Sequence, residues 1–292
     1  IVSLCLLSVT ALSVSHPSLL VVLSVLVFYG LFQYFYQASI AIYTSLLRFV
    51  SSPNEINGEV RVAGTGNALG QLGNVVGLLL ALPVASTFGR PAAIFSGAIL
   101  FGLCSIPVLF WFRRLKTKTA TPTIPPRFFA AWKELRRSPD IFHYLLGYYL
   151  LADAILTLQL FLSLYLTIVA GLSDSSKTLL MAGALLVGVV GAMLAKKIAS
   201  RWSVKRAIEV SILSWAVLLA LFAFVAHPLL FVLVTLLNGF IFGLLFSLSQ
   251  AYYSTLAPIT EQARYFGIYT VFERASSLLG PLLWSTILLT FS

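Results

Sequence analysis

Apolar residues run along this chain in blocks longer than the strands or core helices of a water-soluble domain. A helix rises about 1.5 Å per residue, so crossing a hydrocarbon core of roughly 30 Å takes about 20 apolar residues. Windows of that kind lie at 1–15, 18–48, 60–87, 91–112, 141–170, 176–199, 207–226, 229–256 and 264–291, about nine spans. Short separators with turn residues divide them, as at His16-Pro17, Phe88-Gly89-Arg90-Pro91 and His227-Pro228. The runs lack the alternation of apolar and polar positions that marks a transmembrane β-barrel. The pattern predicts an all-α membrane protein.

Composition agrees: 59% of the 292 residues are hydrophobic and 10% charged, with mean hydropathy +0.97. A soluble domain would be about half apolar and about a quarter charged. The net charge of +10 does not form a basic face, so no nucleic-acid partner is expected. The basic residues instead collect in alternate separators. Arg48 and Arg61 flank one, Arg113 to Arg137 fill the next, Lys196 to Arg206 occupy a third and Arg264 a fourth. All but Arg90, Lys177 and Arg274 of the 19 Lys and Arg fit one assignment, with these loops cytoplasmic. Cys5 and Cys104 sit in apolar runs and form no disulfide framework or metal motif. His16, His143 and His227 lie at span ends. With no phosphate loop, metal-ligand cluster or nucleophile motif, neither enzymatic chemistry nor a cofactor is expected.

The longest polar stretch, 115–140, divides a four-span half (1–114) from a five-span half (141–292). It places Phe128, Phe129, Trp132 and Leu135 at helical spacing among basic residues, after Pro125-Pro126. Two readings stay open: a helix on an anionic inner leaflet, or a basic linker held inside. Tyr43-Thr44-Ser45-Leu46 ends span two and Tyr253-Ser254-Thr255-Leu256 ends span eight, a faint internal repeat. Repeated halves that rock against each other are a transporter signature.

Polar side chains are costly in lipid, so the spans that carry them point to a wet interior. Span two places Gln33, Gln37 and Thr44 on one face. Span three carries Asn67, Gln71 and Asn74 beside Gly66, Gly70, Gly73 and Gly77. The glycines suit close helix packing, and the amides suit either interhelical hydrogen bonds or a cavity wall. Span five holds Asp153 near mid-membrane, with Tyr149 and Thr157 one turn either side. An acid there needs a partner, a proton or water, which makes Asp153 a candidate proton carrier or part of a structural pair. Span nine holds Glu273 and Arg274, followed by Ser276, Ser277 and Gly280-Pro281. Neighbouring helical residues point about 100° apart, so Glu273 and Arg274 are not expected to form a simple pair; Arg274 is expected to reach Asp153, a substrate carboxylate or another helix. Span eight adds Asn238, with Gly239 and Gly243 for packing.

Three stretches together resemble the major facilitator superfamily, and within it the autophagy-related vacuolar amino-acid effluxers and their bacterial relatives. One runs from Ile42-Tyr43-Thr44-Ser45-Leu46-Leu47 through Gly66, Gly70 and Gly73. The second is Tyr149-Leu150-Leu151-Ala152-Asp153-Ala154-Ile155-Leu156-Thr157. The third runs from Gln250-Ala251-Tyr252 through Pro258 and Tyr265-Phe266-Gly267-Ile268-Tyr269 to Gly280-Pro281. The resemblance implies a helical bundle of twelve helices in two halves, of which this chain carries about nine, similar to helices 3–11. Because Ile1 opens inside an apolar run without a basic start, the chain is expected to be part of a longer protein. Two features depart from the branch: Ala152 and Ala154 flank Asp153, and the basic turn reads Ser200-Arg201-Trp202-Ser203 without its usual acid.

The resemblance implies a secondary active transporter of a small polar solute, with amino acids the first class to test and a proton as coupling ion. Its membrane would be the cell's inner or plasma membrane, or a vacuolar membrane. Asp153, Tyr149, Thr157, Glu273 and Arg274 are the coupling and charge-binding candidates; Gln33, Gln37, Asn67, Gln71, Asn74 and Asn238 are the hydrogen-bonding ones. A non-transporting membrane sensor or scaffold that kept the fold is the competing reading.

Overall fold

The structure, a computed structural model, describes residues 19–52, 55–114, 135, 138–168, 171–224 and 228–291. Every regular element among them is helical. The long helices are α1 (Leu19–Ser45), α3 (Gly58–Phe88), α4 (Arg90–Arg114), α5 (Pro139–Ile168), α6 (Asp174–Trp202), α7 (Val204–Phe224) and α8 (Pro228–Leu256); a short α2 (Leu47–Val50) follows α1. The last span is divided into α9 (Gln262–Ala275), a 3₁₀ turn (Ser276–Leu278) and α10 (Leu279–Phe291). Eight of the nine expected spans thus coincide with helices, and the first, 1–15, lies outside the described residues. Among the described residues, five stretches are long and apolar enough to cross a membrane: Leu19–Val50, Gly58–Phe88, Pro139–Ile168, Ser176–Trp202 and Leu229–Leu256. The protein is an all-α membrane protein.

Local chemistry sets the ends. Gly89 (φ 85°) and Gly171 (φ 63°) take the left-handed conformation that glycine adopts without a Cβ penalty, one between α3 and α4, the other after α5. Ser173 caps α6 by accepting the Ser176 N–H at 3.3 Å. Ser203 (φ 70°) makes the one-residue break between α6 and α7. Pro83 and Pro107 lie inside α3 and α4, as lipid-embedded helices tolerate when neighbouring groups satisfy the freed carbonyls.

Packing forms two units. One contains the described residues of Ile1–Ile40 and Val76–Arg137; the other contains those of Ala41–Val75 and Ser138–Ser292. In the first, α1 presents Leu19, Leu20, Leu26 and Phe35 as exposed apolar surface, the composition of a lipid-facing helix. The second holds the core. Leu47, Val60 and Ala63 pack on Ala195, Ala199, Leu244, Leu248 and Ala251, while Leu166, Phe222 and Phe231 form a second cluster.

Lipid is as apolar as leucine, so close backbone approach rather than water exclusion draws these helices together. The closest crossing is α6 on α8, where a Cβ at Gly243 would overlap the Gly188 carbonyl and one at Gly191 would overlap that of Phe240. Gly64 makes a similar approach to Ala192. The expected glycine row of span three behaves otherwise: no described atom lies within 4 Å of a Cβ built at Gly70 or Gly73.

Candidate functional site

The division of the last span, at Ser276–Leu278, is followed at once by Gly280-Pro281 in the first turn of α10. Proline has no N–H, and in the first turn of α10 Pro281 gives up no hydrogen bond within the helix. The neighbouring Gly280 N–H is donated to Asp153 Oδ1 at 2.7 Å. Asp153 of α5 therefore supplies, from another helix, the carboxylate that suits a helix N-terminus. A Cβ at Gly280 would overlap Thr157 Oγ1, a buried hydroxyl without a hydrogen-bond partner, and would lie 3.1 Å from Asp153 Oδ1. The Tyr149 hydroxyl lies 3.5 Å from the Ala275 carbonyl at the end of α9. Tyr149, Asp153 and Thr157, one helical turn apart, thus form a ridge along the break. Asp153 and Thr157 also border a cavity of about 510 Å³ walled by Phe161, Tyr165, Phe222 and Trp284.

One turn before the break, the expectation for Glu273 and Arg274 needs correction. Arg274 Nη2 donates to Glu273 Oε1 at 3.1 Å, and Asp153 is not its partner. Backbone directions about 100° apart do not prevent contact because both side chains are long and flexible enough to curl together. Glu273 is the more enclosed of the two, and its Oε2 accepts the Tyr148 hydroxyl at 3.1 Å. Tyr148 stacks on Tyr269 with ring centroids 4.3 Å apart, and the aromatic series continues through Tyr144 and Tyr253. Tyr253 is fully buried and donates to the Tyr265 carbonyl at 2.9 Å. Treating tyrosine as an apolar residue hides this series; the spacing of Tyr144 and Tyr148, one turn apart and one turn before the acid, is the signal that could have revealed it.

The amides separate by role. Asn67 Nδ2 donates to Ser247 Oγ at 3.2 Å and to Gln250 Oε1 at 3.1 Å, tying α3 to α8. Gln71, one turn further, borders a pocket of about 240 Å³ together with Asn238, Gln159, Thr235 and Trp215. The Trp215 indole N–H donates to Asn238 Oδ1 at 3.2 Å. Gln71 Oε1 and Asn238 Nδ2 are buried without hydrogen-bond partners. Asn74 is exposed. Gln33 donates to the Tyr29 hydroxyl at 3.0 Å within α1, and Gln37 has a buried, unpartnered Oε1; both belong to the first packing unit.

Two charge contacts tie the start of this second unit to its later helices. Glu55 receives Lys196, at the end of α6, and Arg61 at 2.9 Å. Glu55 supplies an acid near the turn that lacks its own. The Lys196 hydrogen bond, reinforced by the Arg61 and Lys196 charges, holds the Glu55 carboxyl below its ordinary value, against a smaller desolvation effect. Arg48 donates to the Ser254 and Ala257 carbonyls at 3.3 and 3.1 Å, placing a cation at the C-terminus of α8. Gln262 Nε2 reaches the same two carbonyls. Arg48, two residues past the first copy of the faint repeat, thus reaches Ser254 of the second.

Comparison with known proteins places this arrangement. The family described as "Vacuole effluxer Atg22 like" matches residues 7–288. The chain belongs to this Atg22-like family. Among curated relatives, an uncharacterized transporter of the major facilitator type from Bacillus subtilis (strain 168), YxiO, is 23% identical over 237 residues, covering 76% of this chain and 55% of the relative. Autophagy-related protein 22 of Yarrowia lipolytica (strain CLIB 122 / E 150) is 25% identical over 275 residues, covering 80% of this chain and 46% of the relative. The chain spans about half the length of these relatives.

Proposed function

We propose that this Atg22-like chain forms part of a secondary active transporter that moves a small polar solute by alternating access, with amino acids as the first class and a proton as the coupling ion. The observation that carries the reading is Asp153 on the Gly280 N–H. A membrane-embedded acid there meets the first turn of α10, just after the break in the last span, so a change in its charge acts directly on the start of α10. Glu273, held between Arg274 and Tyr148, is a second ionisable group on the other side of the break. Under this reading the loops rich in Lys and Arg, including 115–140, face the cytoplasm of an inner, plasma or vacuolar membrane.

The test is uptake of labelled amino acids into proteoliposomes carrying the full-length protein. Asp153→Asn keeps an oxygen for the Gly280 N–H but removes the carboxylate. Flux should fall at least about tenfold and lose its pH dependence, while the protein remains folded. Unchanged flux with unchanged pH dependence removes Asp153 from the mechanism. No flux of any tested amino acid under any gradient removes the transport reading.

A further inference from the structure

The 240 Å³ pocket of the second packing unit has an unusual lining for a cavity among membrane helices. Its walls include Ile155, Leu158, Met181 and Phe242, with no Asp, Glu, Lys, Arg or His. Yet two amide side chains, each only 9% exposed, leave polar atoms there unpaired: Gln71 Oε1 and Asn238 Nδ2. A buried polar atom without a partner is destabilising unless something supplies one. The orientation of Asn238 is fixed chemically. An indole N–H can only donate, so Trp215 must face the Asn238 oxygen, and the free group is necessarily the donor. Gln71 has no such partner, so its amide can turn to present either an acceptor or a donor.

We infer that this pocket binds an uncharged hydrogen-bonding group of a small solute, a carboxamide or a hydroxyl. The group's oxygen accepts the Asn238 Nδ2–H, its own N–H or O–H is donated to Gln71, and its carbon skeleton lies against the apolar walls. A charged group in the same position would be buried with no counter-ion among the lining residues, so the pocket discriminates against charge. For an amino acid, the side chain enters and the ionised backbone groups remain at the pocket mouth. The inference rests on the transport reading only in treating the ligand as cargo.

The experiment is a binding assay with the full-length protein in nanodiscs, using labelled L-glutamine and the near-isosteric L-glutamate and L-norleucine as competitors. Glutamine should bind saturably, and glutamate and norleucine should each compete at least about tenfold more weakly, one for its charge and the other for its missing polar group. Gln71→Met leaves the Trp215–Asn238 bond intact and should weaken glutamine about tenfold; Asn238→Leu should do the same. Binding should change the tryptophan emission of the wild type and not that of Trp215→Phe. Equal competition by glutamate, or glutamine binding untouched in a folded Gln71→Met protein, overturns the inference. Binding with no flux would sustain the pocket and reject the transport reading; flux indifferent to both substitutions would do the reverse.

Discussion

Gly243→Ala at the α6–α8 crossing is the most direct test of how the second unit is held together. The added methyl would overlap the carbonyl of Gly188, a backbone atom with no rotamer to escape into. Gly191 and Gly239 bring the same two helices equally close at neighbouring turns, so the strain is relieved only by separating the pair. Overpacking a tight interior costs about 1–3 kcal/mol, and a clash with rigid backbone belongs at the upper end. Alanine's better helix propensity returns up to about 1 kcal/mol. The expected net loss is about 2 kcal/mol, a factor of about 30 in the ratio of folded to unfolded protein. Reversible unfolding in mixed detergent micelles measures it. Gly73→Ala is the control, since its methyl meets no described atom within 4 Å and should leave stability unchanged or slightly raised. If the two variants unfold alike, the helices are not in backbone contact at Gly243 and the account of the core is wrong.

Two other outcomes follow from the charge contacts. The Glu55 carboxyl lies below its ordinary value of 4.5, chiefly through Lys196, so its contribution to stability is present above that pH and disappears as the pH falls through the lowered value. Glu55→Gln should therefore melt below wild type at pH 7 and converge with it under acid conditions; a gap that persists at low pH contradicts the assignment. Tyr148→Phe keeps the stack on Tyr269 while removing the hydroxyl donated to Glu273. A double-mutant cycle with Glu273→Gln should give a coupling of about 1.5 kcal/mol, as for a hydrogen bond to a charged group, and strict additivity would show that the bond is not made.

The spans were legible because lipid leaves the backbone few alternatives: with no water to satisfy N–H and C=O groups, a long apolar run must be helical. Legibility stopped where partners come from distant parts of the chain. Asp153 stood out as a costly acid, but its partner is the main chain of Gly280, and backbone groups carry no sequence signal. Gln71 and Asn67 look equivalent in sequence, one turn apart on one helix, yet one borders a pocket and the other ties α3 to α8. The glycine row of α3 resembled a packing seam, but Gly64 makes the close approach. Glu273 and Arg274 were separated by an argument about backbone direction that side-chain length overrides.

The Asp153–Gly280 bond joins residues 127 positions apart, and this has a consequence for how the protein is made. A helix ordinarily carries the instruction for its own beginning in the residue just before it. Here α10 begins where α5 tells it to, so its first turn acquires its capping acid only after the two segments have met. Synthesis from the N-terminus delivers them in that order, with α5 made before Gly280 emerges. A circular permutant with 262–291 ahead of 139–168 would ask the same helix to start before its instruction had been written.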